Sequence, residues 1–191
     1  LAETDLGLKG SAGIASRRIE GYDISHLSGK EPVGAMVVFV NGEKDPSQYR
    51  LFKIYGPADA KAMAGREARS YNDLDMFREV MERRLKHSEW PLPDIVFVDG
   101  GLLQAKVIRD VLGRQKIFVP VIGLSKGGKH AGSAHATDKL VALNVKPIGK
   151  EVLQTSKKLF QEVRNEAHRF AIGFGRKRQK KSSLAWRHKL D

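Results

Sequence analysis

Residues 94–126 constrain the fold more than any other part of the chain. "DIVFVDGG" runs apolar without alternation and then meets a Gly-Gly turn, "LLQAKVIRDVLG" has helical spacing up to Gly113, and "VPVIGLSK" is a second unbroken apolar run. An apolar run without alternation marks a strand buried on both faces, as in parallel sheets. Two such strands joined by a helix make a crossover unit, with the helix packed on a face of the sheet. This stretch therefore calls for a sheet covered by helices, and the remaining segments must extend or cover it.

Upstream, "RIEGYDIS" contributes a strand from about residue 19 to 25, followed by the turn Ser28-Gly29-Lys30. "EPVGAMVVFV" is a second strand and "SQYRLFKIY" (47–55) a third. The link "NGEKDPS" carries Asn-Gly and Asp-Pro, which predicts a hairpin. Residues 56–71 read as a loop. "NDLDMFREVMERRLKH" is a helix with Leu74, Phe77, Val80, Met81 and Leu85 on one face and Asn72 or Asp73 as its cap. After "VPVIGLSK" come a Gly/Ala/His-rich loop, the short extended piece "KLVALNV" and a final helix over about 150–174. The order β-β-β-α-β-α-β-(loop)-α predicts an antiparallel three-strand meander extended by parallel strands and flanked by helices. That is the element order of the ribonuclease H-like α/β architecture. The predicted organisation is a leader or linker at 1–18, the domain at 19–175 and a basic tail at 176–191. Because the first residue is Leu, the sequence is expected to be part of a longer protein.

Charge narrows the choice of partner. The 191 residues carry a net charge of +12, and residues 173–191 hold seven Lys/Arg against one Asp, so half of the excess lies in the body of the chain. Such a balance favours a polyanion, nucleic acid first; Arg176, Lys177 and Arg178, which open the tail, suit phosphate contact. The longest apolar run, "VGAMVVFV", is too short to cross a bilayer. No cysteine is present, which excludes disulfides and thiolate metal sites and fits a reducing, cytoplasmic setting.

Two strand-borne carboxylates stand out. Asp23 sits inside an apolar strand, where a charge must be paired, hydrated or bound to metal. Asp99 ends "DIVFVD" at a Gly-Gly turn, which by itself is ordinary turn chemistry. If their strands are neighbours, both side chains face one crevice at the strand ends, where open α/β sheets place ligands. On the last helix, Leu159, Phe160, Val163, Ala167, Phe170, Ala171 and Phe174 form an apolar stripe. At about 100° per residue, His168 falls roughly 120° from its centre, on the Arg164 side, at the border of the buried face. Two Asp and one His on three elements suit a hard divalent cation, Mg²⁺ or Mn²⁺.

Other patterns are weaker. "GLSKGGKH" resembles a phosphate-binding loop but has His130 where Ser or Thr would hold magnesium. His130 and His135 have no thiolate or third ligand to make a zinc site. Ser25 and His26 are consecutive in a strand and point to opposite faces, so they form no nucleophile–base pair.

"RIEGYDISHLSG", "PVGAMVVFVNGE", "YRLFKI", "LPDIVFVDGGLLQ", "VPVIGLSK" and "VRNEAHRFAIGFGRKR" occur in the order and context of one family. Over residues 14–180 the chain resembles the C-terminal endonuclease domain of UvrC, the incising subunit of bacterial nucleotide excision repair. The resemblance implies a ribonuclease H-like fold and a divalent-metal catalytic set at Asp23, Asp99 and His168. It implies a 5′ incision beside a lesion in duplex DNA, with partnership to a UvrB–DNA complex through the full-length protein. It also implies that Lys126 contacts the scissile phosphate and that Arg164 and Arg169 contact the DNA backbone. The loop "GGKHAGSAHATD" departs from the family's usual acidic stretch. The isolated domain is expected to be a monomer without membrane contact. Two rival readings are a non-catalytic DNA- or partner-binding module of this fold, and a related nuclease acting on another nucleic acid.

Overall fold

The computed structural model describes residues 13–14, 17–26, 32–55, 72–125, 138–144 and 156–173. The predicted loop at 56–71 and most of the loop after Ser125 lie outside them. Among the described residues, seven strands form one mixed sheet: β1 (Arg18–Ser25), β2 (Val33–Val40), β3 (Glu43–Lys44), β4 (Arg50–Lys53), β5 (Ile95–Asp99), β6 (Val121–Ser125) and β7 (Lys139–Leu143). Three helices pack on it: α1 (Asp73–Arg84), α2 (Leu102–Arg114) and α3 (residues 156–173). The spatial order is β3-β2-β1-β5-β6-β7, with β4 also on β2.

β1 is the hinge of this topology. It pairs antiparallel with β2 along its whole length and parallel with β5 from Ile19↔Ile95 to Tyr22↔Val98. β5 and β6 are parallel, as their continuous apolar runs require, and β7 returns antiparallel to β6. The predicted ribonuclease H-like α/β class is the observed one.

The hairpin signal is also realised. Asn41 (φ 54) and Gly42 (φ 79) both adopt positive φ, as a two-residue turn matched to the strand twist demands. The third strand differs from its predicted span of 47–55. It is shortened to β4 because Asp45 caps a one-turn 3-10 helix, Pro46–Gln48, ahead of it, and the predicted link supplies the two paired residues of β3. α1 has Asn72 as cap, with a reciprocal bond from Asp75. Its buried face includes Met76, whereas Leu74 is half-buried. α2 does not end at Gly113 but runs one residue further, and the left-handed residue that follows is Lys116 (φ 59). Ile14 is buried against the core, ahead of the predicted boundary at residue 19.

Strand alternation separates the two faces of the sheet. Val163 of α3 rests where a side chain on Gly21 would be, 2.3 Å from the position of a Cβ there, and Phe160 stacks on Phe97 at 5.7 Å. α3 therefore covers the face of odd-numbered β1 and β5 residues. Val80 of α1 closes on Gly34 and Ala105 of α2 on Gly123, so α1 and α2 cover the opposite face. Among the described residues no helix is long and apolar enough to cross a membrane.

Candidate active site

Asp23 and Asp99 reach the same end of the sheet by strand register. One step beyond the last parallel pair, Tyr22↔Val98, come Asp23 on β1 and Asp99 on β5. Register partners in adjacent strands share a face, so both carboxylates lie on the α3 side. Asp23 is buried, with its side chain only 8% exposed. His168 of α3 stands over it, Nδ1 lying 3.5 Å from Asp23 Oδ2, and its ring is 59% exposed. The imidazole thus links a buried carboxylate to solvent.

Ser25 supplies a partner that sequence reading missed. Its hydroxyl donates to Asp23 Oδ2 at 2.7 Å, and Ser25 is itself buried. The signal was available: residues two apart in a strand share a face, so Ser25 belongs with Asp23 and not with His26. His26 leaves the site, with Nε2 3.7 Å from Asp73 on α1.

The donors fit a hard cation in kind: a buried carboxylate whose partners among the described residues are a hydroxyl and an imidazole. Among the described residues, however, no three Asp, Glu or His side chains converge into a metal-binding group. His168 and Asp23 are brought together, and Asp99 is placed on the adjoining strand without closing a three-ligand cluster.

The two arginines of α3 have intramolecular partners. Arg164 Nη1 donates to Asp138 Oδ2 at 2.9 Å, and Gln161 donates to the same oxygen at 3.3 Å. Although burial disfavours its charge, these two bonds keep the Asp138 carboxyl below its ordinary range. Arg169 binds Glu166 through Nε and Nη2. Lys126, Arg176, Lys177 and Arg178 lie outside the described residues.

The chain matches the UvrC RNAse H endonuclease domain family over residues 11–172. It is 36% identical over 187 residues to the UvrABC system protein C of Thermoanaerobacter pseudethanolicus, covering 87% of this chain and 27% of that one. It is 38% identical over 183 residues to the protein of the same name from Streptococcus equi subsp. zooepidemicus, covering 91% and 27%. The chain thus spans about a quarter of the length of these relatives. Among solved structures it is similar to Ciona intestinalis endonuclease V in complex with an inosine-containing DNA. That likeness has a TM-score of 0.42 and 16% identity, and covers 76% of this chain and 56% of that one.

Proposed function

Because the chain belongs to the UvrC ribonuclease H endonuclease domain family, we propose that it is the domain that makes the 5′ incision beside a DNA lesion, using divalent metal at Asp23, Asp99 and His168. The observation that carries this reading is the meeting of Asp23 Oδ2 and His168 Nδ1 at 3.5 Å, one register step from Asp99, at the end of the central strands.

The residues divide the work by chemistry. Asp23 offers a buried carboxylate to a cation, and Ser25 fixes the rotation of that carboxylate through Oδ2. Asp99 brings a second oxygen donor from the next strand, and His168 brings a nitrogen donor open to solvent. Mg²⁺ or Mn²⁺ bound there would help activate water and stabilise the leaving oxygen of a phosphodiester. Such ions are held by few carboxylates together with substrate phosphates, so a site with fewer than three converged protein ligands suits them. Lys126 would offset charge on the scissile phosphate, and Arg176, Lys177 and Arg178 would hold the backbone beyond it. Assembly with UvrB on DNA, in the cytoplasm, belongs to the same proposal.

The test is incision of a nicked or bubble DNA duplex in Mn²⁺ by the wild type and by Asp23→Asn. Incision should vanish in the variant while DNA affinity persists, since Lys and Arg phosphate contacts dominate binding. Undiminished nicking by a folded Asp23→Asn protein would end the assignment. One rival is a binding module without catalysis. That rival predicts no calorimetric Mn²⁺ site, whereas the nuclease predicts one that disappears in Asp99→Ala.

A further inference from the structure

α3 is held on two flanks, and only one of them faces the proposed catalytic group. Phe160, Val163, Ala167 and Ala171 are fully buried and define the line of the helix that lies on the sheet. At about 100° per residue, Glu166 lies on one side of Ala167 and His168 on the other. The roll of the helix about this line decides how near His168 comes to Asp23.

The Glu166 flank is gripped tightly. Its carboxylate is only 3% exposed, yet it receives two cations from the rim: Lys44 Nζ of β3 at 2.9 Å and Arg169 Nε at 2.9 Å, with Arg169 Nη2 on the other oxygen. The Arg169 bond first, then Lys44, hold the Glu166 carboxyl down at about 2 against the cost of burial. Next to this cluster, Phe170 meets Tyr49 edge to face at 5.1 Å. Arg169 binds Glu166 from within α3, three residues on, while the charge-assisted Lys44 bond is the tie to another element. It fixes α3 to the β3–β4 edge a turn or less from His168.

We propose that Lys44, Glu166 and Arg169 form a clamp that positions His168 over Asp23, and that Arg169 acts in this clamp and not as a contact to the DNA backbone. The proposal rests on the nuclease reading for the importance of His168, but the geometry it concerns exists without metal or substrate. Arg169 has both an Nε and an Nη donor committed to Glu166. Its side chain is 68% exposed and the guanidinium keeps its other donors, so the salt slope of DNA binding decides between the clamp and a phosphate contact. In the bonds described, the clamp residues pair with one another, and Asp23 pairs with Ser25 and His168, so the clamp acts through His168 as a set of positioning residues.

The experiment uses the whole chain and two independent readouts. The first is the NMR signal of the His168 ring, assigned with His168→Ala, in wild type, Glu166→Gln and Arg169→Ala, each with and without Asp23→Asn. In the wild type, Asp23→Asn should shift the ring signals; in both clamp variants that shift should collapse. The second is single-turnover incision at saturating DNA. The clamp variants should lose roughly 10- to 100-fold in rate, the scale seen when the support that orients a metal ligand is removed. Their DNA affinity should change by less than about twofold, with an unaltered salt slope. Arg169→Lys, which keeps one charge on Glu166, should recover part of both signals and serves if Glu166→Gln does not fold. An undiminished Asp23-dependent shift in the folded clamp variants would overturn the proposal. So would a fall of about one in the salt slope for Arg169→Ala, the mark of a lost phosphate contact. Failure of the wild type to incise would count against the nuclease reading alone, because the ring readout needs no activity.

Discussion

Glu20 and Asp23 sit three residues apart in β1, and both are buried, but on opposite faces they meet opposite treatment. Glu20 faces α1 and is saturated. Arg84 reaches it through Nε at 3.0 Å and Nη2 at 2.9 Å, Arg18 through Nη2 at 3.0 Å, and Tyr22 through its hydroxyl at 2.6 Å. Arg84 is itself 1% exposed and also binds the carbonyl of Pro91. Burial first, and then the Glu20 charge, push the Tyr22 phenol far above its ordinary value, so it stays protonated and donates. Asp23 faces α3 and receives a hydroxyl and the rim of an imidazole, with no guanidinium or ammonium on it among the described residues. A carboxylate enclosed by cations holds elements together. One left short of cations at the end of the sheet is a place for a cation to bind.

The sharpest way to break this contrast is Arg84→Met. It strands Glu20 in the core with a reduced partner set, and breaking a buried pair in this way costs about 3–5 kcal/mol. Urea unfolding measures it, and a loss below about 1 kcal/mol would mean that Arg18 and Tyr22 alone satisfy Glu20. Adding Glu20→Gln to Arg84→Met removes the stranded charge and should return about 1–2 kcal/mol, because contacting sites are not additive. An additive double variant would remove Glu20 from the saturated class. Gly21→Ala tests the boundary between the faces. Its Cβ would lie 2.3 Å from Val163 and 3.1 Å from Val37, an overpacking worth about 1–3 kcal/mol. The displacement falls on α3, so the wild-type response of the His168 ring to Asp23→Asn should fade with it. Val163→Ala in the same chain should restore part of the stability.

The same contrast explains what could be read from the sequence. Asp23 and Asp99 were legible as strand residues from local patterning, whereas the face they share depends on the pairing of β1 with β5, far apart in the chain. The helical stripe likewise put His168 at the border of the buried side, and the His ring is 59% exposed. The Glu20–Arg84 pair spans 64 residues and the Lys44–Glu166 pair 122. No local pattern announces either, because each pair is made only when distant segments meet in the sheet. The resemblance implied DNA-backbone contacts for Arg164 and Arg169; Arg164 meets Asp138 26 residues away, whereas the Glu166 partner of Arg169 is three residues off on the same helix and was locally legible. The late start of β4 came from Asp45 acting as a helix cap where Asp-Pro suggested only a turn.

The smallest expected effect is the most telling one. Asp23→Asn should leave metal-free stability within about 1 kcal/mol of wild type, in either direction, since a neutral amide relieves the burial of a poorly compensated charge. The amide oxygen can still accept the Ser25 hydroxyl, so the hydrogen bond survives the substitution. Added Mn²⁺ then separates the two proteins. A ligand at 100 times its dissociation constant stabilises the folded state by about 2.7 kcal/mol, so the wild type should melt at higher temperature with Mn²⁺. Asp23→Asn should not respond. A metal-free loss of more than about 2 kcal/mol would make Asp23 a structural carboxylate like Glu20. An unaltered Mn²⁺ response in the variant would move the cation site away from Asp23. Small cost without metal and lost response with it is the pair of results that only a functional carboxylate gives.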